Sequence, residues 1–585
     1  MNIIDDPCLQ VTVLATAGEP PDTPGSPIAE VGARQLLLDA HLFADLVVDL
    51  PTQKPALLRQ LLLPIVVDAL GWPADTDEWT TWFTAGAFTH AQRNRISAYL
   101  DEHRHLFELF GAADPFGQVA GLRTAKDEAK SAALLVATAA TGNNVPLFAS
   151  RTEADRLELT PAQALRWLLH THCWDTAAIK TGVVGDPRAV GGKTSGNPTG
   201  PLGQLGVILP TGRTLFETLL LNIPCKRSAP ADDRPQWRRR ATDGPVEKTL
   251  SVATPAWDTR AARGTLDLWT WQSRRIRLIP EETDHGTRVA RVVVAAGDRL
   301  ASISQDEETH TAWSTGRPSG AAATARRRQP PRKAPEGPRP RRHQPGRAGW
   351  RGLAALLAIG GMTEEGGAFA TSSLLAQLAA VSAGLPGNFP LQVELSGISY
   401  GNQSAVIEDV IHDSIPLPMT ALDPTGFVYG ALLGAVDQAE DLADAVNRLS
   451  ADLRRAAGSD PIPWDKGQRP GDVLLYALDP IARRLLVELR GVGAVRDVGD
   501  VADDFDAVLE KLGAWEDKAA EATWAVAEQV LSAVPPTTFV GRSVSKDGKD
   551  GKDGKERVYR LSTAERAFRI RVNDILARRA ARRSA

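Results

Sequence analysis

Cysteine is scarce in this sequence: a chain of 585 residues contains only Cys8, Cys173 and Cys225. The three are far apart and odd in number, which argues against a disulfide scaffold and favours a reducing compartment. The first residues, MNIIDDPCLQV, include two acids and no apolar core, so they do not resemble a signal peptide. We therefore expect a cytoplasmic protein.

Long apolar runs are also absent. The best one, ALLRQLLLPIVVDALG beginning at Ala56, is interrupted by Arg59, Gln60, Pro64 and Asp68. A helix that crosses a bilayer needs about 20 consecutive apolar residues. We therefore expect no membrane-spanning segment and no membrane partner.

Motifs for metal binding or nucleophilic catalysis are missing as well. The sequence contains no Cys-x-x-Cys and no His-Glu-x-x-His pattern. His170 and His172 stand two positions apart, and such neighbours do not share one face of a helix, so they are poorly placed to chelate a metal together. No pattern ties a nucleophile to a base. The sequence thus predicts no metal and no cofactor.

Neither sign of charge is in large excess, since the formal net charge is −4. The surface as a whole should not attract nucleic acid, and any contact with phosphate must come from a local basic patch. The obvious patch is a basic Pro/Arg-rich segment, residues 314–342. Its composition predicts a solvated, extended linker, and the alternative is a segment that grips a nucleic-acid backbone.

The length allows more than one hydrophobic core. Residues 1–415 mix helical and strand-like patterns, including a helix start at Thr160 with Gln163 at the capping-box position. Beyond them, apolar residues recur every three or four positions in four segments, which is typical of amphipathic helices. These segments begin near Leu432, Leu474, Phe505 and Ser562. The sequence predicts an α+β fold: a large mixed N-terminal domain, 1–415, followed by a C-terminal four-helix bundle, 416–585.

Glycine is concentrated in GVVGDPRAVGGKTSGNPTGPLGQLG, residues 182–206, with eight glycines in 25 residues. Gly192-Lys193-Thr194 matches the end of a nucleotide-binding loop, but Pro187 replaces the first glycine of that motif. The residues that follow, SGNPTGP, cannot open a helix. A P-loop-like NTPase acting on nucleic acid therefore remains an alternative to a glycine loop with another use.

A second short pattern is YGNQ, residues 400–403, which predicts a tight turn before an apolar segment. An amide side chain at the tip of a turn can pair with base edges or enter a base stack. Taken alone, such a pattern is more typical of an ordinary turn than of a binding site.

Six segments, in order along the chain, resemble one family. They are MNIIDDPCLQV (1–11), LFELFGAADPFGQV (106–119), TGNNVPLF (141–148), GPLGQLGVILPTGRTLFETLLLNIP (200–224), HQPGRAGWRGLAALL (343–357) and YGNQSAVIED (400–409). On these segments the sequence resembles the large subunit of the type I-E CRISPR surveillance complex, the CasA family of Cascade. The likeness extends over nearly the whole chain, including the four-helix bundle.

The resemblance implies an antiviral role without catalysis. Such subunits sit near the 5′ handle of the guide RNA, read the protospacer-adjacent motif (PAM) of duplex DNA from the minor groove, and help to begin strand separation. The implied partners are guide RNA and other Cascade subunits, double-stranded target DNA, and the recruited helicase-nuclease. Sequence reading beyond the PAM belongs to the guide. A helical scaffold subunit that does not bind DNA is the remaining alternative.

The resemblance also assigns residues to this role. The DNA-contacting glycines are expected among Gly182, Gly185, Gly191 and Gly192. The family's glutamine wedge falls on Gln403, with Gly401 and Asn402 beside it. Its minor-groove lysine corresponds to Arg274 or Arg275. Asn143, Asn144 and Phe148 match a loop that contacts the guide RNA or the DNA.

Two departures from the family stand out. Some members carry paired Cys-x-x-Cys motifs that bind zinc, and this chain has neither, so we expect no zinc. The sequence between His310-Thr311-Ala312-Trp313 and the family-like segment at 343 turns abruptly rich in Arg, Pro and Ala. One hypothesis is a local frameshift in the coding sequence, which its two other reading frames would test.

Overall fold

The computed structural model describes residues 1–14, 27–141, 156–226, 228–239, 253–314, 337–359, 369–386, 388–463, 467–492, 501–544 and 557–584. They form two compact units. Unit 1 comprises Met1–Arg347, Ala358–Leu385 and Leu391–Ile415, and unit 2 comprises Ala348–Leu357, Pro386–Pro390 and Pro416–Ala585. The predicted α+β fold is confirmed, because unit 1 mixes helices with sheets and unit 2 is mainly helical.

Unit 1 contains most of the strands in small antiparallel sheets. Their bounds are β1 Leu9–Val13, β2 Ile28–Val31, β3 Phe43–Val47, β4 Lys130–Ser131, β5 Lys180–Thr181, β6 Lys193–Thr194, β7 Val207–Thr211, β8 Thr259–Arg260, β9 Arg274–Thr283, β10 Gly286–Ala296, β11 Arg299–Leu300, β12 Trp313–Ser314, β13 Arg339–Pro340, β14 Phe369–Ala370, β15 Gln392–Gly401 and β16 Val406–Pro416. The three-stranded orders are β2-β1-β3, β4-β10-β9, β13-β12-β14 and β16-β15-β7. Strands β5 and β6 form a two-stranded hairpin, and β8 and β11 pair in parallel.

Helices of unit 1 pack against strands of these sheets. Their bounds in unit 1 are α1 Ala33–Leu38, α2 Gln53–Leu57, α3 Leu63–Leu70, α4 Thr76–Thr84, α5 His90–His103, α6 Pro161–Trp174, α7 Leu215–Leu221 and α8 Thr265–Trp269. Helix α6 begins as its sequence predicts, with a capping box in which Thr160 and Gln163 satisfy each other's backbone N–H groups. Fourteen residues later it ends at Trp174, whose following loop positions the candidate site.

Tryptophan dominates the core of unit 1. The indoles of Trp79, Trp174 and Trp271 are almost fully buried. Each indole N–H donates to a backbone carbonyl oxygen, at 3.0 Å for Trp79, 2.9 Å for Trp174 and 2.9 Å for Trp271. Large rings therefore fill the core without leaving these donors unpaired.

Unit 2 contains the predicted four-helix bundle. Helix α10, Ser373–Val381, still belongs to unit 1. The helices of unit 2 are α9 Leu353–Leu356, α11 Phe427–Ala456, α12 Pro470–Glu488, α13 Val501–Ser532, α14 Thr537–Val540, α15 Leu561–Ile575 and α16 Ala577–Ser584. A short hairpin joins β17 Arg542–Val544 to β18 Arg557–Tyr559. The predicted apolar seam of α11, from Leu432 to Leu453, is buried throughout. Helix α11 packs against α12, α13 and α15.

Two details of the bundle differ from the sequence prediction. The periodicity predicts Phe505, Leu512 and Trp515 in the buried face of α13; Leu512 and Trp515 are buried, but Phe505 is 43% exposed and Val508 is buried in its place. The last long helix begins at Leu561 with Arg560 as its N-cap, two residues before the cap predicted at Ser562. In both places the true helix start sets the buried face, and the sequence periodicity locates that start only approximately.

The described end of the basic segment is part of the fold. Arg339 and Pro340 form β13, which pairs with β12. The Arg341 guanidinium lies 4.2 Å from the centre of the Phe369 ring, and the Arg341 N–H donates to the carbonyl oxygen of Ala312 at 2.8 Å. Residues 339–341 are therefore held in the fold by ladder pairing and a cation–π contact and are not a free linker, while Arg339 and Arg342 are exposed as predicted. Residues 315–336 lie outside the described part of the chain.

Within the described residues, no helix is both long enough and apolar enough to cross a bilayer.

Candidate nucleic-acid interface

The glycine-rich stretch forms a short hairpin, residues 180–194, which we call the glycine hairpin. Lys180 pairs with Thr194 across β5 and β6, and the Gly182 N–H donates to the carbonyl oxygen of Gly192 at 2.8 Å. Gly182 lies directly against Gly192, and a Cβ on Gly182 would lie 2.8 Å from the Gly192 carbonyl carbon. Only glycine permits this close approach of two backbones.

The tip of the glycine hairpin is exposed backbone. Gly191 and Gly192 have φ values of +59° and +72°, the left-handed pair of a type I′ turn. Val190 and Lys193 exchange backbone hydrogen bonds of 2.9 and 3.2 Å across the turn. No atom lies within 4 Å of the position that a Cβ would take on either glycine. The tip therefore presents backbone that a ligand can approach closely, beside the exposed Lys193.

An arginine-flanked tryptophan supports the glycine hairpin. The Trp257 ring contacts the guanidinium groups of Arg188 and Arg299, which lie 4.4 and 4.2 Å from its centre. Gly185, at φ +88°, packs on Pro255, whose Cγ lies 3.2 Å from the position of an added Cβ. These contacts fix the loop below the tip. Trp257 is not recognisable from local sequence, because its partners lie about 40 to 70 residues away in the chain.

The second predicted element is the turn between β15 and β16, residues 401–405, which we call the amide turn. Asn402, Gln403 and Ser404 have φ values of +27°, +58° and +60°. Positive φ values are disfavoured for residues that carry a Cβ, and of these three residue types only asparagine adopts them often. The side chains of Asn402 and Gln403 are exposed and hydrogen-bond to no described residue. Two neighbouring amides are thus held outward at a strained tip.

Gly401 has a packing reason of its own. A Cβ at this position would lie 2.0 Å from Oε1 of Glu408 on the facing strand. Gly401 is half-buried, whereas Asn402 and Gln403 are exposed. Of the three predicted residues at this turn, the two amides are therefore the ones available to a ligand.

The loop after α6 anchors both elements. The Tyr400 hydroxyl donates to the carbonyl oxygen of Trp174 at 2.5 Å, and the Ala177 N–H donates to the carbonyl oxygen of Ser404 at 2.8 Å. Toward the other element, the Gly200 N–H donates to the carbonyl oxygen of Asp175 at 2.9 Å. Residues 174–177 thus connect the amide turn to the chain that leaves the glycine hairpin.

Arg274 has a structural role in this loop. Its guanidinium pairs with the Asp175 carboxylate and donates to the carbonyl oxygens of Thr176 at 2.8 Å and Pro198 at 2.9 Å. Its side chain is 1% exposed. Burial alone would raise the pKa of the Asp175 carboxyl, but the charges of Lys180 and Arg274 outweigh burial and lower it to about 2. The anchor is therefore a charged, fully paired centre at neutral pH.

The Arg275 guanidinium also has its hydrogen-bond partners within the protein. It donates to Asp298 at 2.8 Å and to the carbonyl oxygens of Thr254 and Ala256, and its side chain is 2% exposed. The geometry of Arg274 and Arg275 argues against the predicted minor-groove contact, because both guanidinium groups are buried and engaged by protein acceptors. Their partners are distant in sequence, so the tetrapeptide SRRI alone could not reveal the burial.

Asn143, Asn144 and Phe148, the predicted guide-RNA or DNA contacts, lie outside the described residues.

The histidines of α6 are buried in unit 1. His170 lies 2.9 Å from the Thr52 hydroxyl, and His172 lies 2.9 Å from the carbonyl oxygen of Gly117. Burial lowers the pKa of His170 to about 3 and that of His172 to about 4, so both rings are neutral. In the described ranges, no group of three or more His, Cys, Asp or Glu side chains is arranged to hold a metal ion.

The nucleotide-loop alternative fails on geometry. A phosphate-binding loop wraps its glycines around the N-terminus of a helix that follows a strand. Here Lys193 and Thr194 form a β-strand, and the next helical residues are the short 3-10 turn Pro201–Gln204. Lys193 therefore cannot join a helix N-terminus in a phosphate cradle.

Comparison with known proteins agrees with a fold that mixes helices and sheets and has helices at its C-terminal end. The family model described as "CRISPR-associated protein Cse1" matches residues 22–526. The chain belongs to this family of CRISPR-associated proteins.

Individual relatives support this assignment. A CRISPR-associated protein CasA/Cse1 of Thermus thermophilus is 31% identical over 284 residues, a match that spans 48% of this chain and only about half, 49%, of that relative. The crystal structure of Thermobifida fusca Cse1 is 30% identical, with a TM-score of 0.74 over 99% of this chain and 98% of that one. A chain of a CRISPR RNA-guided surveillance complex shares the fold at 19% identity, with a TM-score of 0.59 over 91% of this chain and 99% of its own.

Proposed function

We propose that this chain is the PAM-recognising large subunit of an RNA-guided CRISPR complex, and that the glycine hairpin and the amide turn contact the duplex. The observation that carries the proposal is the shared anchor: residues 174–177 hydrogen-bond both to the amide turn and to the chain leaving the glycine hairpin. Two exposed tips with a fixed spacing suit a rigid double helix. Family membership and the fold shared with a surveillance-complex chain support the setting.

The glycine hairpin suits the minor groove. That groove is about 6 Å wide and displays a degenerate pattern of acceptors, so it is read by groups that approach closely. Gly191 and Gly192 bring bare backbone to the surface, with no atom nearby to obstruct a base edge. The exposed Lys193 beside them adds a charge that attracts the phosphate backbone.

The amide turn suits the start of strand separation. Inserting a side chain between base pairs costs on the order of a few kcal/mol per step, and contacts at the same place must offset it. Asn402 and Gln403 are exposed amides on a backbone that is strained and tied down at Ser404. A wedge must be rigid, because a flexible tip would itself deform and leave the base pairs stacked.

The proposal includes the partners of the chain as well, and membership of the family supports this part. Other subunits and the guide RNA hold the complex together, target DNA is the ligand, and a helicase-nuclease is recruited after strand separation. The chain itself contributes binding, not catalysis.

The test uses the reconstituted complex with its guide RNA, with and without this chain. Its substrate is a library of duplexes that match the guide and carry a randomised flank, at about 150 mM salt. We expect particular flanks to be enriched only when the chain is present. If enrichment is the same without it, the chain is a scaffold subunit and the proposed PAM reading is wrong.

A matched pair of variants locates the reading surface. Gly191→Asn and Gly286→Asn both place asparagine at an exposed turn with positive φ, +59° and +83°, where asparagine is tolerated. We expect both to fold normally and only Gly191→Asn to lose flank enrichment, at least tenfold. If complexes with either variant enrich the same flanks equally well, the glycine hairpin does not read the flank.

A further inference from the structure

Unit 2 contains a polar cleft that the proposed function does not use. Its volume is about 460 Å³, within the range of small-ligand sites. Four arginines from three helical segments converge on it, Arg448 and Arg455 of α11, Arg469 immediately before α12, and Arg571 of α15. We call it the arginine cleft.

The acids of the arginine cleft neutralise only part of this charge. Asp444 and Asp452 also line it, so among the described lining residues four arginines face two aspartates, a formal charge of +2. Asp452 pairs with Arg455 at 3.1 Å. Arg469 lies 3.7 Å from Asp472, a longer contact.

Three donor groups of the cleft have no acceptor among the described residues. Arg448 is exposed and Arg571 is half-buried, and neither forms an ion pair or hydrogen bond with any described residue. Nε of Arg469 is buried and has no hydrogen-bond partner there. A buried donor without an acceptor costs free energy, which a bound acceptor would recover. Three guanidinium groups that line one concave site are thus prepared for an anion.

We propose that the arginine cleft binds a phosphate group. Guanidinium groups offer forked donors that match the oxygens of phosphate, and several converging forks suit its tetrahedral shape better than a flat carboxylate. The phosphate comes either from a free polyphosphate or nucleotide, or from the backbone of a nucleic-acid strand. The proposal is independent of the DNA reading assigned to unit 1.

The test measures binding to the full chain by calorimetry at about 50 mM salt, with pyrophosphate as the first probe and a twelve-nucleotide single-stranded oligothymidylate as the second. The variants are Arg448→Gln and Arg571→Gln. The control is Arg566→Gln, an exposed arginine of the same helix as Arg571 that forms no ion pair with a described residue. Thermal unfolding of every variant checks the fold.

We expect pyrophosphate to bind the wild-type chain, each cleft variant to weaken it about tenfold, and the control to stay within about twofold. Loss of oligonucleotide binding in the same variants identifies a strand as the source of the phosphate. Oligonucleotide binding that the variants leave unchanged identifies a free phosphate ligand. No binding of pyrophosphate to the wild type, or equal affinity in cleft variants and control, overturns the proposal. If Arg571→Gln does not fold, Arg571→Lys keeps the charge and should weaken binding less than Arg448→Gln.

Discussion

Tyr400 and Trp174, 226 residues apart in sequence, are joined by a 2.5 Å hydrogen bond from the tyrosine hydroxyl to the tryptophan carbonyl oxygen. Burial and the nearby Asp175 raise the pKa of Tyr400 above its usual value, so the hydroxyl stays protonated and keeps donating. This bond sets where the amide turn stands relative to the end of α6.

Tyr400→Phe removes that donor and leaves a buried carbonyl oxygen unpaired. We expect a loss of about 1 to 3 kcal/mol in the free energy of unfolding, measured by urea denaturation, and faster amide exchange in residues 396–406. Gly203→Ala is a second route to the same effect, because its Cβ would lie 2.5 Å from the Tyr400 oxygen. If neither variant accelerates exchange at the amide turn, the hydrogen bond does not position it.

Gln403→Ala tests the wedge separately from the anchor. We expect PAM-dependent duplex binding to persist while strand opening, followed by permanganate reactivity of unpaired thymines, slows at least tenfold. A duplex with a few mismatched pairs next to the PAM should restore the variant to the wild-type rate, because the step that the wedge assists is already complete. A rate that stays low on the mismatched duplex would place the defect elsewhere.

The sequence predicted the parts of this site whose reasons are local. Turn chemistry placed Asn402 and Gln403 at a tip, and the repeated glycines marked a region of close backbone approach. Local patterns do not reveal the acids that pair with the buried arginines. Asp175, the partner of Arg274, lies 99 residues before it, and Asp298, the partner of Arg275, lies 23 residues after it. The sequence did not predict how residues 339–341 are held in the fold for the same reason: their strand partner and the aromatic partner of Arg341 come from elsewhere in the chain.

Gly182 and Gly192 have different reasons to be glycine, and alanine separates them. At Gly192 an added Cβ meets no atom, so the cost is the positive φ alone, about 1 kcal/mol. At Gly182 the Cβ would strike backbone at 2.8 Å, and we expect a cost of about 2 to 3 kcal/mol with faster exchange along residues 180–194. Thermal and urea unfolding give the comparison, and equal losses would contradict this account.

The Asp175 centre makes a specific contribution to acid stability. Its carboxyl has a pKa of about 2 in the folded chain against an ordinary value of 3.8. Because the folded pKa is the lower one, the stabilisation is complete above the unfolded value and is lost as the pH falls toward 2. Between pH 5 and pH 3, the wild type should lose about 1 kcal/mol more than Asp175→Asn.

The control for that titration is Asp409→Asn, an exposed carboxylate without an ion pair to a described residue. It should follow the wild type across the same pH range in urea denaturation. If Asp175→Asn also follows the wild type, its carboxyl is not stabilised by Lys180 and Arg274.

A buried carboxylate in unit 2 depends on the last helix. Glu516 is fully buried and accepts from the Gln438 amide at 3.0 Å, from the Arg578 guanidinium at 3.1 Å and from the Arg579 N–H at 2.7 Å. Ending the chain after Leu576 removes the last two donors and leaves the buried charge of Glu516 without them. We expect the bundle to lose about 2 kcal/mol, a value reduced from that of a fully buried pair because Arg578 is 46% exposed.

The substitution Glu516→Gln removes the charge while keeping a hydrogen bond to Gln438, so it completes a double-mutant cycle with the truncation. The truncation should cost the Glu516→Gln variant less than half of what it costs the wild type, because no uncompensated charge is left behind. Urea unfolding of the four proteins gives the coupling free energy. A coupling of zero would mean that α16 stabilises the bundle by packing alone, without any contribution from its donors to Glu516.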